Sequence, residues 1–410
     1  MDYITESKQT RIVGEYDVIV VGGGVAGVSA ALSAARNGAK VLLIEKLTAL
    51  GGLATAGLVI LYYPLCDGNG HKVIGGISEE LLHASIKYGY GNLPDVWKDG
   101  PMEADTKERY QTIFNAPAFV LALDELIQDA GIDLLLDTVF CDVLMEDASC
   151  KAVIVENKSG RLAYRCKAVV DATGDADVMF RAGVPCAEQE NLLAYWAYCR
   201  TEKNDCIFRP GGGPPDYVKV MALGLADGRN LPEGTSRFFG CSAEEVTRAL
   251  LAGHSLALEK IKQDPTLVFM SFPAQVQFRT TRRIIGEHTL RPEDAFRFYP
   301  DSIGCTGLTG PSGDVFEFPF GMLFNKAVEN LYAAGRIVSG ENGRGWHIVR
   351  GIPTCAMTGQ AAGTAAMLRA RDGEVRIETL QETLKNDKAI LHIPHAARAA
   401  HEKEIVPDHA

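Results

Sequence analysis

Three short runs along the chain are apolar without alternation. They are Tyr16 to Val21 (YDVIVV), Lys40 to Glu45 (KVLLIE) and Ala168 to Asp171 (AVVD). Runs of this length that are rich in β-branched residues fit parallel strands buried on both faces. Between the first two, Ala26 to Asn37 places Val28, Leu32 and Ala35 on one helical face. Strand, helix and strand then make a βαβ unit of about thirty residues. Ile77 to Tyr88 predicts an amphipathic helix with an acidic first turn, and residues 89–117 predict an irregular excursion. A helix is expected over Ala118 to Asp129. Strands are expected over 133–136, 139–145, 151–157 and 162–167, with a turn at Asn157-Lys-Ser-Gly160. Asn330-Leu-Tyr-Ala-Ala-Gly335 predicts a short strand, and Pro353 to Arg369 and Ile377 to Leu384 predict helices.

The middle of the chain changes character. Residues 186–325 hold 10 of the 18 prolines, the tract Gly211 to Pro215, and mixed helical and strand-like fragments. The expected fold class is α/β: a Rossmann-like nucleotide-binding domain of discontinuous segments (1–75, 118–185 and 326–390) with an inserted α+β substrate or cap domain (76–117 and 186–325). Residues 391–410 are expected to form a peripheral tail. Val18 to Ala35 contains 18 uncharged residues, long enough for a membrane span. Its three consecutive glycines and its Ala and Ser content fit a strand, turn and helix instead, so no membrane partner is expected.

Composition narrows the function. Lys and Arg number 41 against 52 Asp and Glu, giving a net charge of −11, which argues against a nucleic-acid partner. A local arginine cluster can still attract an anionic small substrate. Apolar residues at 47% and charged residues at 23% exclude disorder as a global description. The 10 cysteines include no C-x-x-C, and no close Cys/His spacing resembles a zinc site, so no metal and no dithiol redox centre is expected. The opening segment has no apolar h-region and no twin arginine, so a cytoplasmic location is expected.

Gly22, Gly24 and Gly27 form G-x-G-x-x-G between the first strand and its helix. The first permits a tight turn, the second lets a pyrophosphate approach the backbone, and the third brings helix and strand together. The helix N-terminus presents free N–H groups to the phosphates. Glu45 closes the second strand 23 residues after Gly22, where a carboxylate can accept hydrogen bonds from a ribose diol.

Three further features select FAD over a nicotinamide nucleotide. Gly51 and Gly52 follow Glu45 closely, where the phosphates and ribityl chain of a flavin need room. Asp171-Ala-Thr-Gly-Asp175 puts small residues at a strand end, and Gly335-Arg336 ends another strand near the ribityl chain. The helix entered through Pro353 can point its N-terminus at the flavin ring and stabilise charge there. The expected contacts of FAD are Gly22, Gly24, Val25, Ala26 and Gly27, then Glu45 and Lys46, then Gly51, Gly52, Leu53 and Ala54. Val139, Ala172, Thr173, Gly174, Gly335, Arg336, Ile352, Pro353 and Thr354 complete the set.

These motifs (DVIVVGGGVAG, E-x5-GG, DATGDAD, RTTRRIIG and AAGRIVSG…VRGIPTCAMTGQAAGTAA) resemble those of bacterial FAD-dependent oxidoreductases of the glutathione-reductase superfold. They are most similar to a branch that shares R-x-x-R-R and a terminal GQAAGTAA. The resemblance covers most of residues 16–390 and implies an FAD fold and redox chemistry. It implies no particular substrate. Thr280 stands where an acidic residue often follows the first arginine, and residues 301–314 lack the D-x-H often found after it. No His follows Gly51-Gly52, where fumarate-reductase relatives attach FAD covalently, so non-covalent FAD is expected.

Candidates for the chemistry lie in two places. Arg279, Arg282 and Arg283 form R-x-x-R-R. On a helix they share a face, and on a strand Arg282 lies opposite the other two. They suit recognition of a carboxylate or phosphate, or equally an ion-pair network between domains. His347 and Arg350 stand in GWHIVRG beside the expected ring site. His347 is a candidate proton carrier or a structural histidine beside Trp346, and Arg350 is a candidate for orienting an anion. The expected reaction is hydride transfer between a small organic substrate and flavin N5, as a dehydrogenase or oxidase. Reduction of an activated C=C bond is the alternative, and an FAD-binding protein without turnover is the alternative of another class. Flavin monooxygenases usually carry Gly-Asp where Gly335-Arg336 stands. A homo-oligomer is compatible with all of these.

Overall fold

In the computed structural model, the described residues are 4, 7–89, 91–191, 193–200, 219–223, 237–308 and 313–405. The glycine–proline tract at 211–215 lies outside them. Seven strands form the main sheet: β1 (Arg11–Val21), β2 (Val41–Ile44), β5 (Asp133–Leu135), β6 (Val139–Glu146), β7 (Ser149–Asn157), β8 (Gly160–Asp171) and β16 (Leu331–Ala333), while β3 (Leu61–Tyr62) and β4 (Thr112–Ile113) pair with each other. The order is β5-β2-β1-β8-β7-β6, and β16 (Leu331–Ala333) also pairs with β8. β5, β2, β1, β8 and β16 are mutually parallel, while β6, β7 and β8 form an antiparallel meander.

β8 is one strand where two were expected, at 162–167 and 168–171. Its first half pairs with β7 and its second half with β16, while β1 runs beside both halves. β1 likewise exceeds expectation, beginning at Arg11 rather than at Tyr16. Its outer residues stay exposed, and their backbone is satisfied by Leu162 to Cys166. The expected turn at 157–160 is the β7–β8 hairpin.

Helix α1 (Val25–Arg36) packs on the sheet, and α2 (Ile77–Ile86), α3 (Ala116–Asp129) and α4 (Asp177–Arg181) follow it. Asn115 caps α3 by accepting from the Ala118 N–H at 2.9 Å. β9 (Cys186–Glu188), β10 (Tyr195–Arg200), β11 (Lys219–Leu223), α5 (Ala243–Gln263), β12 (Val268–Ser271), β13 (Arg282–Ile284), β14 (Ser302–Gly307) and β15 (Val315–Pro319) lie in the central region. β10 sits between β11 and β12, and β13 pairs antiparallel with β9.

The chain returns through α6 (Arg344–Val349), α7 (Ile352–Asp372), α8 (Ile377–Asn386) and α9 (His395–Ile405). α7 lies directly on α1. A Cβ at Gly359 would sit 2.1 Å from the Ala26 carbonyl oxygen, and one at Gly363 would sit 2.1 Å from that of Ala30. Ser29 donates to the Ala356 carbonyl at 2.6 Å, and Ser33 meets Thr364 at 2.7 Å. The GQAAGTAA signature is thus a helix-contact surface.

Residues 391–398, expected to be peripheral, are packed. Leu391, Ile393 and Ala397 are buried, and the fully buried Glu317 carboxylate accepts from the Ile393 N–H and from Arg398, both at 3.1 Å. Among the described residues no helix is long and apolar enough to cross a membrane.

Candidate active site

The cofactor cradle starts where β1 gives way to α1. Gly22 has φ +103°, and a Cβ there would lie 2.4 Å from the Ala172 carbonyl oxygen. A Cβ at Gly27 would lie 1.7 Å from the Gly22 carbonyl oxygen, so this glycine lets the helix start tuck against the turn. Gly24 differs: an added Cβ there would meet nothing nearer than the Gly52 Cα at 4.0 Å. Its surface is open to a cavity, and α1 begins with no side-chain cap. The first N–H groups of the helix therefore remain available to a phosphate.

Gly51 is held to this turn by its N–H, which donates to the Gly23 carbonyl at 2.8 Å. The Glu45 carboxylate accepts from the Gly23 N–H at 2.6 Å and from the Leu47 N–H at 2.8 Å. Two of its roughly four acceptor positions are thereby used, leaving capacity for a ribose diol.

The resulting cavity encloses about 260 Å³ and runs from Glu45 to Arg350 and Ile352. Its donor set fits FAD: a carboxylate at one end, open main-chain amides in the middle, and a helix start at the other. That helix is α7, with Gly351 as N-cap and Pro353 in its first turn. Every expected cofactor contact lines the cavity except Gly27, Pro353 and Thr354. Gly27 and Pro353 stand behind the wall, and the Thr354 hydroxyl turns to Thr306 at 2.7 Å.

The defining pattern of the FAD dependent oxidoreductase family matches residues 17–192 and 242–384. The chain belongs to that family. This FAD-dependent oxidoreductase is also 28% identical over 192 residues to the NADH:fumarate oxidoreductase of Klebsiella pneumoniae. That match takes in 39% of this chain and only 20% of the relative. Among solved structures it is similar to a geranylgeranyl bacteriochlorophyll reductase-like protein of Thermoplasma acidophilum, at 14% identity and a TM-score of 0.47 over 96% of this chain and 97% of that one. It is also similar to p-nitrophenol 4-monooxygenase of Pseudomonas putida, at 13% identity and a TM-score of 0.49 over 95% and 94%.

Sequence reasoning missed several residues on the oxidoreductase's cofactor cavity: Val21, Ile44, Thr138, Phe140, Asp177, Gln275, Ala334 and Cys355. Val21 and Ile44 end predicted strands, and Asp177 ends the ATGDAD motif, so position alone could have found them. Nothing near Gln275 marks it, because it arrives from the central region.

The aspartates beside the cavity are unequal. Burial pushes the Asp171 carboxyl up to about 6, although it accepts from the Thr173 N–H, the Thr173 hydroxyl and the Met179 N–H. Asp175 is held below its ordinary value by Arg336, which it meets at 2.7 Å, despite the opposing effect of its burial. Burial raises Asp177, and neighbouring Asp175 adds to the shift.

The four catalytic candidates separate. Arg282 and Arg283 lie on β13, so their side chains leave on opposite faces. Arg282 faces Glu188 at 3.5 Å and Asp177 at 3.6 Å, and covers the Phe180 ring at 4.1 Å. Arg283 donates to the Asn342 side-chain oxygen at 3.0 Å and to the Ile284 carbonyl at 3.0 Å. Neither is among the residues lining the cofactor cavity, and both knit β13 to its neighbours.

Arg350 lines the cofactor cavity, and His347 does not. His347 Nδ1 accepts from Arg350 Nε at 3.0 Å and Nη2 at 2.9 Å. Surrounding protein, with Arg350 and Arg279, lowers the His347 pKa to about 4. With Nδ1 accepting from this fork, the ring carries its proton on Nε2.

A second, smaller cavity of about 90 Å³ shares Leu53, Arg336, Arg350 and Ile352 with the first. Three extended segments complete it with alternate residues: Val59, Leu61 and Tyr63; Ala194 and Trp196; Gln277 and Arg279. Between them, Ile60, Tyr62, Tyr195 and Phe278 point into cores. Of these segments only Arg279 carried a sequence signal, through R-x-x-R-R.

Proposed function

We propose that this FAD-dependent oxidoreductase oxidises a small carboxylate-bearing substrate, as a dehydrogenase or oxidase, in the smaller cavity. The observation that carries this reading is the set of residues shared by the two cavities. Anything held between Arg279, Arg336 and Arg350 lies against the contents of the larger cavity. FAD, when bound, supplies a two-electron acceptor for a hydride from a substrate carbon.

The chain's own residues bind and orient. Burial, and then the nearby Arg279 guanidinium, pull the Arg350 pKa down to about 10. That positive charge is held in a confined space, where a substrate carboxylate would relieve the repulsion and accept paired hydrogen bonds. His347 fixes the Arg350 fork from behind and is a positioning residue. Leu53, Val59, Leu61 and Ile352 exclude water from the rest of the wall. In this reading residues 1–75, 118–185 and 326–390 carry the cofactor and most of the substrate wall, and residues 186–325 add Ala194, Trp196, Gln277 and Arg279 to that wall.

A second reading, reduction of an unsaturated carboxylate, is favoured by the name of the Klebsiella relative, NADH:fumarate oxidoreductase. The same guanidinium groups would hold that acid. Anaerobic addition of 2-hydroxy and 2-amino acids should bleach the oxidised flavin band if the first reading holds. If unsaturated acids instead restore the band of chemically reduced enzyme, the second reading holds. If carboxylates change neither redox state across a broad panel, both are wrong.

A further inference from the structure

We propose that the substrate is a short monocarboxylate with an apolar body, and that the cavity discriminates against dicarboxylates. This rests on the reading that the smaller cavity receives substrate. The cavity's charged lining residues, among those described, are all arginines: Arg279, Arg336 and Arg350. Arg336 is already paired with Asp175 at 2.7 Å, so the group that meets a ligand centres on Arg350, whose fork is backed by the uncharged His347 Nδ1 and whose pKa Arg279 lowers. One carboxylate satisfies such a group.

The remaining wall offers a second carboxylate very little. Val59, Leu61, Ala194 and Trp196 are apolar there, and each is only half-buried, so a ligand would complete its burial. The Gln277 carboxamide is already committed. Its oxygen accepts from the Trp196 N–H at 2.6 Å, and its nitrogen donates to the Trp196 carbonyl at 3.2 Å and to the Gly57 carbonyl at 2.5 Å. Tyr63 adds one neutral hydroxyl. A second carboxylate would be stripped of water against this surface without a cationic partner, which is strongly unfavourable. A methyl or methylene chain would be drawn in by the same surface. The volume of about 90 Å³ lies below the ~150 Å³ that seats benzene, which restricts the body to a few carbons.

The test is equilibrium titration of oxidised holoenzyme, read by perturbation of the visible flavin spectrum and by calorimetry, with butyrate, succinate and 1-butanol as probes. Butyrate is expected to saturate the site, with succinate and 1-butanol each at least tenfold weaker. Succinate binding as tightly as butyrate overturns the inference and leaves the anion site standing. Butanol matching butyrate removes the carboxylate requirement. If neither acid binds, the substrate-cavity reading beneath it fails as well. Leu61→Arg should shift the butyrate-to-succinate preference at least tenfold toward succinate, and the milder Leu61→Gln should narrow it. An unchanged preference in variants that retain FAD overturns the proposal.

Discussion

At the residue scale, the site depends on what is missing at Gly24 and on what is neutral at His347. Gly24 faces open space, so a branched side chain there would fold without clash and project into the cofactor path. Gly24→Val is expected to give folded protein that has lost most of its flavin, read as the visible-to-ultraviolet absorbance ratio. A normally yellow variant would contradict the cradle.

His347 makes a pH prediction whose sign follows from its lowered pKa of about 4 against an ordinary 6.5. Between those values the unfolded chain binds the proton more readily than the folded one, so stability is full above pH 6.5 and declines as pH falls toward 4. In thermal unfolding from pH 6.5 to 4, the wild type should lose more Tm than His347→Gln. Equal slopes would refute the shift. The histidine itself was legible in the sequence, but its role was not. Spacing shows a titratable ring near a cofactor. Only the structure reveals that its Nδ1 receives the Arg350 fork.

At the element scale, α1, β1 and α7 owe their positions to close backbone contact. Gly359→Ala or Gly363→Ala would place a methyl group inside contact distance of an α1 carbonyl, and helix separation is the expected relief. Each is expected to cost about 1–3 kcal/mol or more, measured as a drop in the urea midpoint. A variant as stable as wild type would show that α7 can retreat freely. The buried Glu317 makes the parallel case at the end of the described chain. Arg398→Met removes a cation that donates to it, and destabilisation of about 3 kcal/mol is expected by the same measurement.

Element type was readable from local pattern for most of these pieces. The merging of two expected strands into β8 was not, because a strand's continuity depends on partners. Here one partner is β7 next to it in sequence, and another is β16, which follows some 160 residues later.

At the scale of the whole molecule, the smaller cavity is built from segments near residues 60, 195 and 278, together with the stretch at 350–352. Arg279→Gln should retain FAD while raising KM for an anionic substrate about tenfold, equivalent to ~1.4 kcal/mol of lost binding. An unchanged KM would remove Arg279 from the substrate wall. Arg282→Gln should instead lower stability and leave KM alone, since its partners are Glu188, Asp177 and Phe180.

That contrast marks the boundary between sequence and structure. The sequence alone determined the phosphate turn of the cofactor cradle, because its requirements are local: a positive φ at Gly22, an open backbone at Gly24 and a carboxylate ending the next strand all lie within one βαβ unit. Which arginine of R-x-x-R-R faces a cavity was decided only by tertiary structure. Arg282 and Arg283 are carried on β13, whose pairing with β9 turns them toward Glu188 and Asn342, whereas Arg279 precedes the strand and falls on the cavity side of an extended segment. Alternation along a strand is written in the chain, but the register that assigns each face to a neighbour depends on residues about a hundred positions away.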